Sequence, residues 1–200
     1  SHILIQEMIN LKKHIKNSIK LRKNIISFSE DINFIIEKIF NCLKDNNKVF
    51  ICGNGGSAAD AQHISAEFLV RLNPKKNRKS YPIICLGNDM TYLTACGNDY
   101  GFDKIFSRHL SGLNKKNENN ILLCLSTSGN SKNIINALKQ AKSEKIFSIS
   151  FLGKGGGKAK KISNKSITIS STNTALIQEE HMFIAHYILN SVEKKLLSKI

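Results

Sequence analysis

The sequence has 200 residues, of which 41% are hydrophobic and 22% charged, a composition ordinary for one globular domain. No apolar run reaches the roughly 18 residues that a membrane span needs, and no signal peptide is recognisable, so we expect a cytoplasmic protein without membrane contact. The net charge of +15 favours anionic partners. Most of it is dispersed lysine without a nucleic-acid motif, so we expect an anionic metabolite as partner and no nucleic acid.

The five cysteines are predicted to be buried free thiols. Cys52, Cys85 and Cys124 lie inside apolar, strand-like runs, and Cys42 and Cys96 lie in helix-like segments. No Cys-x-x-Cys spacing is present, so neither a disulfide framework nor a zinc ribbon is expected.

Helix and strand patterns alternate along the chain. Apolar residues at helical spacing predict one helix marked from Ile3 to Leu21 and a second that begins near Ser29. Short apolar runs then predict strands at 48–52, 81–86, 121–125, 146–152 and, more weakly, 166–170. Helix-compatible stretches lie at 57–70, 90–96 with 102–112, 131–143 and 175–198, and loops at 73–80 and 114–120. The alternation predicts an α/β fold with a parallel sheet covered on both faces by helices.

Two loops that follow predicted strands are typical of anion binding. The first, Gly53-Asn54-Gly55-Gly56-Ser57, opens a helix, and its glycines allow a tight turn close to a ligand. It matches the dinucleotide fingerprint only weakly, because no acidic residue ends the next strand. A tight turn without a ligand is the alternative for this loop.

The second loop, Ser126-Thr127-Ser128-Gly129-Asn130-Ser131, decides between these alternatives. Its four hydroxyls at a helix start suit the three oxygens of a phosphate monoester, whereas a helix cap alone needs one such residue. A Walker-type Gly-Lys-Ser/Thr is absent, so nucleotide hydrolysis is not expected. A further glycine turn, Lys154 to Lys158, has no hydroxyls and is interpreted as a connection.

Four side chains on two predicted helices have the chemistry for proton transfer. His63 and Glu67 are four residues apart and share a helix face, and Gln178 and His186 lie in the last helix. A carboxylate and an imidazole beside a sugar phosphate can interconvert aldose and ketose through an enediol. The four residues also form an N/O set compatible with Zn²⁺, although glutamine is an uncommon zinc ligand. Surface hydrogen bonding for the first pair and a core histidine for His186 are the alternatives.

The assembled motifs resemble the phosphoheptose isomerase family of the SIS (sugar isomerase) group over nearly the whole chain. The residues that carry the resemblance are Cys52 to Ser57, Asp60 to His63 with Glu67 and Arg71, Gly97 to Phe102, Phe106 to Arg108, Ser126 to Ser131, and Ile177 to Glu179 with His186.

The resemblance implies a fold and an assembly. It implies one SIS domain over residues 1–200, a three-layer αβα sandwich with a five-stranded parallel sheet. A helical extension covers about 1–45, the sheet core about 46–172, and a C-terminal helix about 175–198. It also implies a homotetramer, with the N-terminal helices used in oligomerisation and active sites at subunit contacts.

The resemblance further implies conversion of sedoheptulose 7-phosphate to D-glycero-D-manno-heptose 7-phosphate, the first step toward activated heptose for lipopolysaccharide or capsule. Glu67 matches the catalytic base and His186 the acid. One Zn²⁺ per subunit is implied, with ligands matching His63, Glu67, Gln178 and His186. The substrate-binding positions match Asn54, Gly55, Gly56, Ser57, Glu67, Arg71, Asn98, Asp99, Ser126, Thr127, Ser128, Ser131 and Gln178.

Two departures from the family pattern keep other functions open. Ala175 stands where relatives commonly have an acidic residue, and Gly155 replaces an Asp in the Gly-Lys-Asp-Gly-Gly turn. The first change leaves an isomerase of another phosphosugar as an alternative. A SIS-type phosphosugar-binding regulator of replication initiation is another, although such a protein does not need Glu67, Gln178 and His186 together.

Overall fold

A computed structural model describes residues 11–198 of the chain. Five parallel strands form one sheet in the order β2-β1-β3-β4-β5. The strands are β1 Val49–Gly53, β2 Ile83–Cys85, β3 Ile121–Ser126, β4 Phe147–Leu152 and β5 Lys165–Thr168. All five predicted strands are confirmed, and the apolar runs that predicted them are largely buried because helices cover both faces of the sheet.

The predicted helices are also present. They are α1 Leu11–Asn24, α2 Ser29–Lys44, α3 Gly56–Leu69, α4 Met90–Tyr100, α5 Ile105–Leu113, α6 Lys132–Ser143, α7 Gly157–Ile162 and α8 Thr174–Leu197. Two short 3-10 helices, Ile25–Phe28 and Phe102–Lys104, precede α2 and α5. The part of the first predicted helix before residue 11, including Ile3, lies outside the described residues. Helix α7 was not predicted.

Two hydrophobic cores lie on opposite faces of the sheet. Alternate residues of β1 point to opposite sides, so that Val49 and Ile51 join one core and Phe50 and Cys52 the other. Helices α2, α3 and α8 cover the first core, and α4, α5, α6 and α7 cover the second. All five cysteines are buried and free, as predicted.

Helix α1 differs from the other long helices because none of its residues is buried. Its apolar side chains Leu11, Ile15 and Ile19 follow one another at four-residue intervals and are 68%, 47% and 48% exposed. Within the described part of the chain, no helix is both long and apolar enough to pass through a membrane.

Candidate active site

The two predicted anion-binding loops lie side by side in the fold. Strands β1 and β3 are hydrogen-bonded neighbours, with Cys52 opposite Cys124 and Gly53 opposite Leu125. The order of strands reverses at this pair, since β2 lies beyond β1 and β4 beyond β3. In open α/β sheets such a reversal leaves a crevice at the carboxyl ends of the strands, where ligands bind. Both loops lie at this crevice, each directly after the strand that the sequence predicted before it.

The first loop presents open backbone donors. The N–H groups of Ser57 and Ala58 bond to the carbonyls of Asn54 and Gly55, at 3.0 Å each. Among the described residues, none accepts from the N–H groups of Gly55 and Gly56, which are exposed. The carboxamide of Gln178 packs over Gly56, where a Cβ would lie 2.7 Å from its Nε2. A side chain at position 56 would displace the carboxamide of Gln178 from this contact between α8 and the start of α3.

Two hydroxyls of the second loop accept hydrogen bonds from the backbone of the same loop. The Oγ of Ser126 accepts from the N–H of Gly129 at 3.1 Å, and the Oγ of Ser128 from the N–H of Asn130 at 3.2 Å. A hydroxyl that accepts from the backbone still has its own hydrogen to give to an anion. Ser131 is the N-cap of α6 without a side-chain cap bond, so its hydroxyl is free to do the same. This loop suits a phosphate.

The third glycine turn braces the second loop. The N–H of Ala159 donates to the carbonyl of Gly129 at 2.9 Å, and the N–H of Lys158 to Oδ1 of Asn130 at 3.1 Å. A Cβ at Gly129 would lie only 2.0 Å from the carbonyl oxygen of Gly156. The turn is the predicted connection, and its hydrogen bonds also hold the backbone of the second loop in place.

Three of the predicted chemical residues converge between α3 and α8. The Nε2 of His63 lies 3.1 Å from Oε1 of Glu67 and 3.3 Å from Nε2 of His186. One ligand atom from each residue lies within 4.8 Å of the other two. The cluster is open to solvent, since the side chains of His63 and Glu67 are 49% and 25% exposed.

The donor set of this cluster fits a metal ion. A ring nitrogen that carries a hydrogen has no lone pair left, so a neutral His63 cannot donate to Glu67 and accept from His186 at the same time. A cation between the three atoms would use all three lone pairs. Two imidazoles and one carboxylate are a common protein ligand set of catalytic Zn²⁺.

Of the predicted site residues outside the two loops and this cluster, one contacts the first loop and the rest are exposed. Gln178 donates from Nε2 to Oγ of the buried Ser57 at 3.3 Å, so it lies at the first loop. Arg71 is exposed just beyond the end of α3. Asn98 and Asp99, on the last turn of α4, are exposed and bond to each other at 2.8 Å. Ala175 is exposed in the first turn of α8.

Burial separates the two histidines of α8. His181 is fully buried, and its Nε2 lies 3.1 Å from the carbonyl of Leu152. Burial lowers the pKa of His181 to about 4, so this ring stays neutral and holds α8 to the end of β4. His186, one and a half turns later, is partly exposed and faces His63. The core-histidine alternative therefore describes His181 and not His186.

Two polar residues near the loops were not predicted as site residues. Asn133 is 2% exposed and forms two hydrogen bonds with Asn54. Its signal in the sequence is a polar residue on the face of α6 that also carries Ile134, Ala137 and Leu138. Asp60, on α3, has a buried carboxylate oxygen without a described partner, and burial raises its pKa against the opposing effect of His63.

Comparison with known proteins shows the family. The profile of the SIS domain matches residues 13–153. The phosphoheptose isomerase of Campylobacter concisus is 41% identical over 190 residues, which are 92% of this chain and 97% of that protein. The solved phosphoheptose isomerase of Neisseria gonorrhoeae is 32% identical with a TM-score of 0.84, covering 95% of this chain and 99% of its own. That of Francisella tularensis is 30% identical with a TM-score of 0.85, covering 92% and 96%.

The chain belongs to the phosphoheptose isomerase family. Both the resemblance and the five-stranded SIS fold predicted from the sequence are confirmed. The roles of single residues, which the resemblance implied, stay predictions.

Proposed function

We propose that this chain is the aldose–ketose isomerase that converts sedoheptulose 7-phosphate to D-glycero-D-manno-heptose 7-phosphate, as the name of its family indicates. The observation that carries the proposal is the convergence of Glu67, His63 and His186 between α3 and α8. A protein that only binds a phosphosugar has no need of this cluster, so catalysis is preferred over a regulatory role.

Substrate binding divides between the two loops. The phosphate is assigned to the hydroxyls of the second loop and to the N–H groups of Lys132 and Asn133 at the start of α6. The first loop, with the N–H groups of Gly55 and Gly56, is assigned to the sugar. Helix α3 rises roughly 10 Å between Gly56 and His63. This separation lets an open-chain sugar extend from the first loop toward the cluster of His63, Glu67 and His186.

The reaction moves a proton between two carbons. The carboxylate of Glu67 takes a proton from C1 of the ketose, the C–H electron pair becomes the C1=C2 double bond, and the C2 carbonyl oxygen gains a proton from the solvent to which the cluster is open. The resulting enediol loses the hydrogen of O1 to solvent as the C1 carbonyl forms, and C2 receives a proton from His186. Glu67 then releases its proton to solvent and His186 takes one up, which restores both groups. His63 contacts both groups and holds them in one place.

We assign a Zn²⁺ site to His63, Glu67 and His186, with Gln178 as the fourth predicted ligand. The observation that supports the site is the convergence of three ligand atoms, two imidazole nitrogens and one carboxylate oxygen, within 4.8 Å of one another. A bound Zn²⁺ would supply a Lewis acid for the oxygens of the enediol.

A homotetramer is proposed because exposed groups of this chain need a partner. The apolar side of α1 is uncovered, and an apolar cavity of about 450 Å³ lies beside it, lined by Ile25, Ile26, Phe183 and Tyr187 among others. The predicted substrate residues Arg71, Asn98 and Asp99 are exposed. A neighbouring copy would cover the apolar side of α1 and the cavity, and could enclose the three exposed substrate residues.

The proposed place of the enzyme is the cytosol, in the supply of activated heptose for lipopolysaccharide or capsule. Five buried, free cysteines are consistent with a reducing compartment.

Two variants that remove the titratable group but keep a polar side chain test the catalytic proposal. With sedoheptulose 7-phosphate as substrate, we expect the wild type to form the aldose, observed by NMR. Glu67→Gln and His186→Gln should lower kcat by at least about 100-fold each, the order of a lost general base or acid. Glu30→Gln and His14→Gln, on α2 and α1, are the matched controls. Full activity in either site variant would contradict the assigned roles. If the wild type converts only another phosphosugar, the assignment of sedoheptulose 7-phosphate as substrate is wrong.

A further inference from the structure

A pair of asparagine side chains joins the two loops of the candidate site. The Nδ2 of Asn133 donates to Oδ1 of Asn54, and the Nδ2 of Asn54 donates to Oδ1 of Asn133, both at 2.9 Å. Oδ1 of Asn133 also accepts from the N–H of Ile134 at 2.9 Å. The carboxamide of Asn133 is therefore locked in place by its own helix and by the opposite loop.

This pair connects parts of the fold that pack separately. The first loop leads into α3, whose apolar side belongs to one core, and the second leads into α6, whose apolar side belongs to the other. Within residues 11–198, no other side-chain hydrogen bond joins residues 54–57 to residues 126–133. The carboxamide pair is thus the direct tie between the start of α3 and the start of α6.

The two hydrogen bonds with Asn133 also limit the contacts that the side chain of Asn54 can make with a ligand. Its carboxamide oxygen and one amide hydrogen are engaged with Asn133, so the side chain is turned along the crevice toward the other loop. Contact with the sugar then comes mainly from the neighbouring N–H groups of Gly55 and Gly56.

We propose that Asn133 is a positioning residue that sets the spacing between the phosphate loop and the helix that carries His63 and Glu67. The inference rests on the proposed function. Phosphate bound at the start of α6 fixes one end of the sugar, and the carboxamide pair fixes α3 relative to that end. The reacting carbons then lie at a constant distance from Glu67, which is the geometric condition for fast proton transfer.

The test is a double-mutant cycle on the isomerase. Asn133→Ala should lower kcat about 10- to 100-fold, the effect expected of a misplacement of about 1 Å. The constant for competitive inhibition by inorganic phosphate should change less than about threefold, because the hydroxyls of the second loop remain. Asn54→Ala removes the same tie from a partly exposed loop position, and the double variant should be no slower than the slower single variant.

Asn120→Ala is the matched control. Asn120 is also 2% exposed, and its carboxamide is hydrogen-bonded to the N–H of Lys48 and to Asn114 and Glu118. It directly precedes β3 and so lies at the amino ends of the strands, away from the two loops. It should lose stability while kcat, measured below its unfolding temperature, stays within about twofold of wild type.

Failure of the proposed function and failure of the positioning role give different results. A wild type that does not convert sedoheptulose 7-phosphate overturns the proposed function and this inference with it. An active wild type whose Asn133→Ala variant behaves like Asn120→Ala, or whose two single effects multiply in the double variant, overturns the positioning role alone.

Discussion

At the scale of residues, His63 determines how the cluster between α3 and α8 can work. It is in contact with both proposed proton-transfer groups, yet its Nε2 can satisfy only one of them when neutral. Either a shared proton or a cation must resolve the conflict. The proposed zinc site follows from this shortage of hydrogens, and metal content is the property that distinguishes the two solutions.

We expect one zinc per chain in the purified protein and a strong loss of zinc in His63→Ala, because this change leaves two of the three convergent ligand atoms. His14→Ala, on α1, should keep the metal. Elemental analysis measures zinc directly, and chelation of the wild type followed by an activity assay measures its contribution. Zinc-free wild type with undiminished activity after chelation would remove the metal from the account.

At the scale of elements, the end of α3 is held by a buried ion pair. The Nη2 of Arg78 donates to the carbonyl of Glu67 and its Nη1 to that of Phe68, both at 2.9 Å, which satisfies carbonyls of the last helical turn. Its Nε donates to Oε1 of Glu193 at 2.6 Å, and Glu193 also accepts from the N–H groups of Leu72 and Asn73. The pair thus joins α3, its following loop and α8.

Loss of Glu193 should be costly because it leaves the guanidinium of Arg78 buried and unpaired; the two side chains are 1% and 3% exposed. For Glu193→Ala we expect a decrease of about 3–5 kcal/mol in the free energy of unfolding. The surface pair of Glu37 with Lys195 is the control, and Glu37→Ala should cost less than about 1 kcal/mol. Denaturation at equal protein concentration measures the free energy of unfolding of both variants. Equal decreases in the two would show that burial of the ion pair does not determine its contribution to stability.

At the scale of the whole molecule, α1 and α8 present apolar side chains that this chain does not cover. Ile15 and Ile19 on α1 are about half exposed, and Tyr187 on α8 is 53% exposed. Burial of such surface between copies is the driving force that the proposed tetramer requires.

Ile15→Lys should therefore break the assembly. We expect wild type at four times the chain mass of 22.3 kDa in light scattering after size exclusion, and a smaller species for the variant. Asn17→Lys adds the same charge on the opposite side of α1 and should remain tetrameric. A wild type that is a monomer, or an Ile15→Lys variant that is still a tetramer, would exclude α1 from the interface.

The sequence predicts the strands and helices of this fold better than the polar side-chain pairs that join distant segments. The central buried strands are continuous apolar runs and are readily recognised, whereas β5, with one buried residue, gives only a weak alternating pattern. The loops after β1 and β3 carry their chemistry in adjacent residues. Helix α7 was missed because six residues with three lysines show no apolar periodicity. The pairs Asn54–Asn133 and Arg78–Glu193 join residues 79 and 115 positions apart, and nothing local in the chain specifies which polar groups will meet.

Glu67 is proposed to remove a proton from C1 of a seven-carbon sugar phosphate, and His186 to deliver a different, solvent-exchanged proton to C2. The most direct test is the conversion of sedoheptulose 7-phosphate in D₂O, followed by NMR of the aldose. An enediol that takes its C2 proton from a solvent-exchanged His186 predicts deuterium at C2, and Glu67→Gln should form no product on the same time scale. An aldose that carries the original C1 hydrogen at C2 without deuterium, or no aldose from the wild type, would contradict the account.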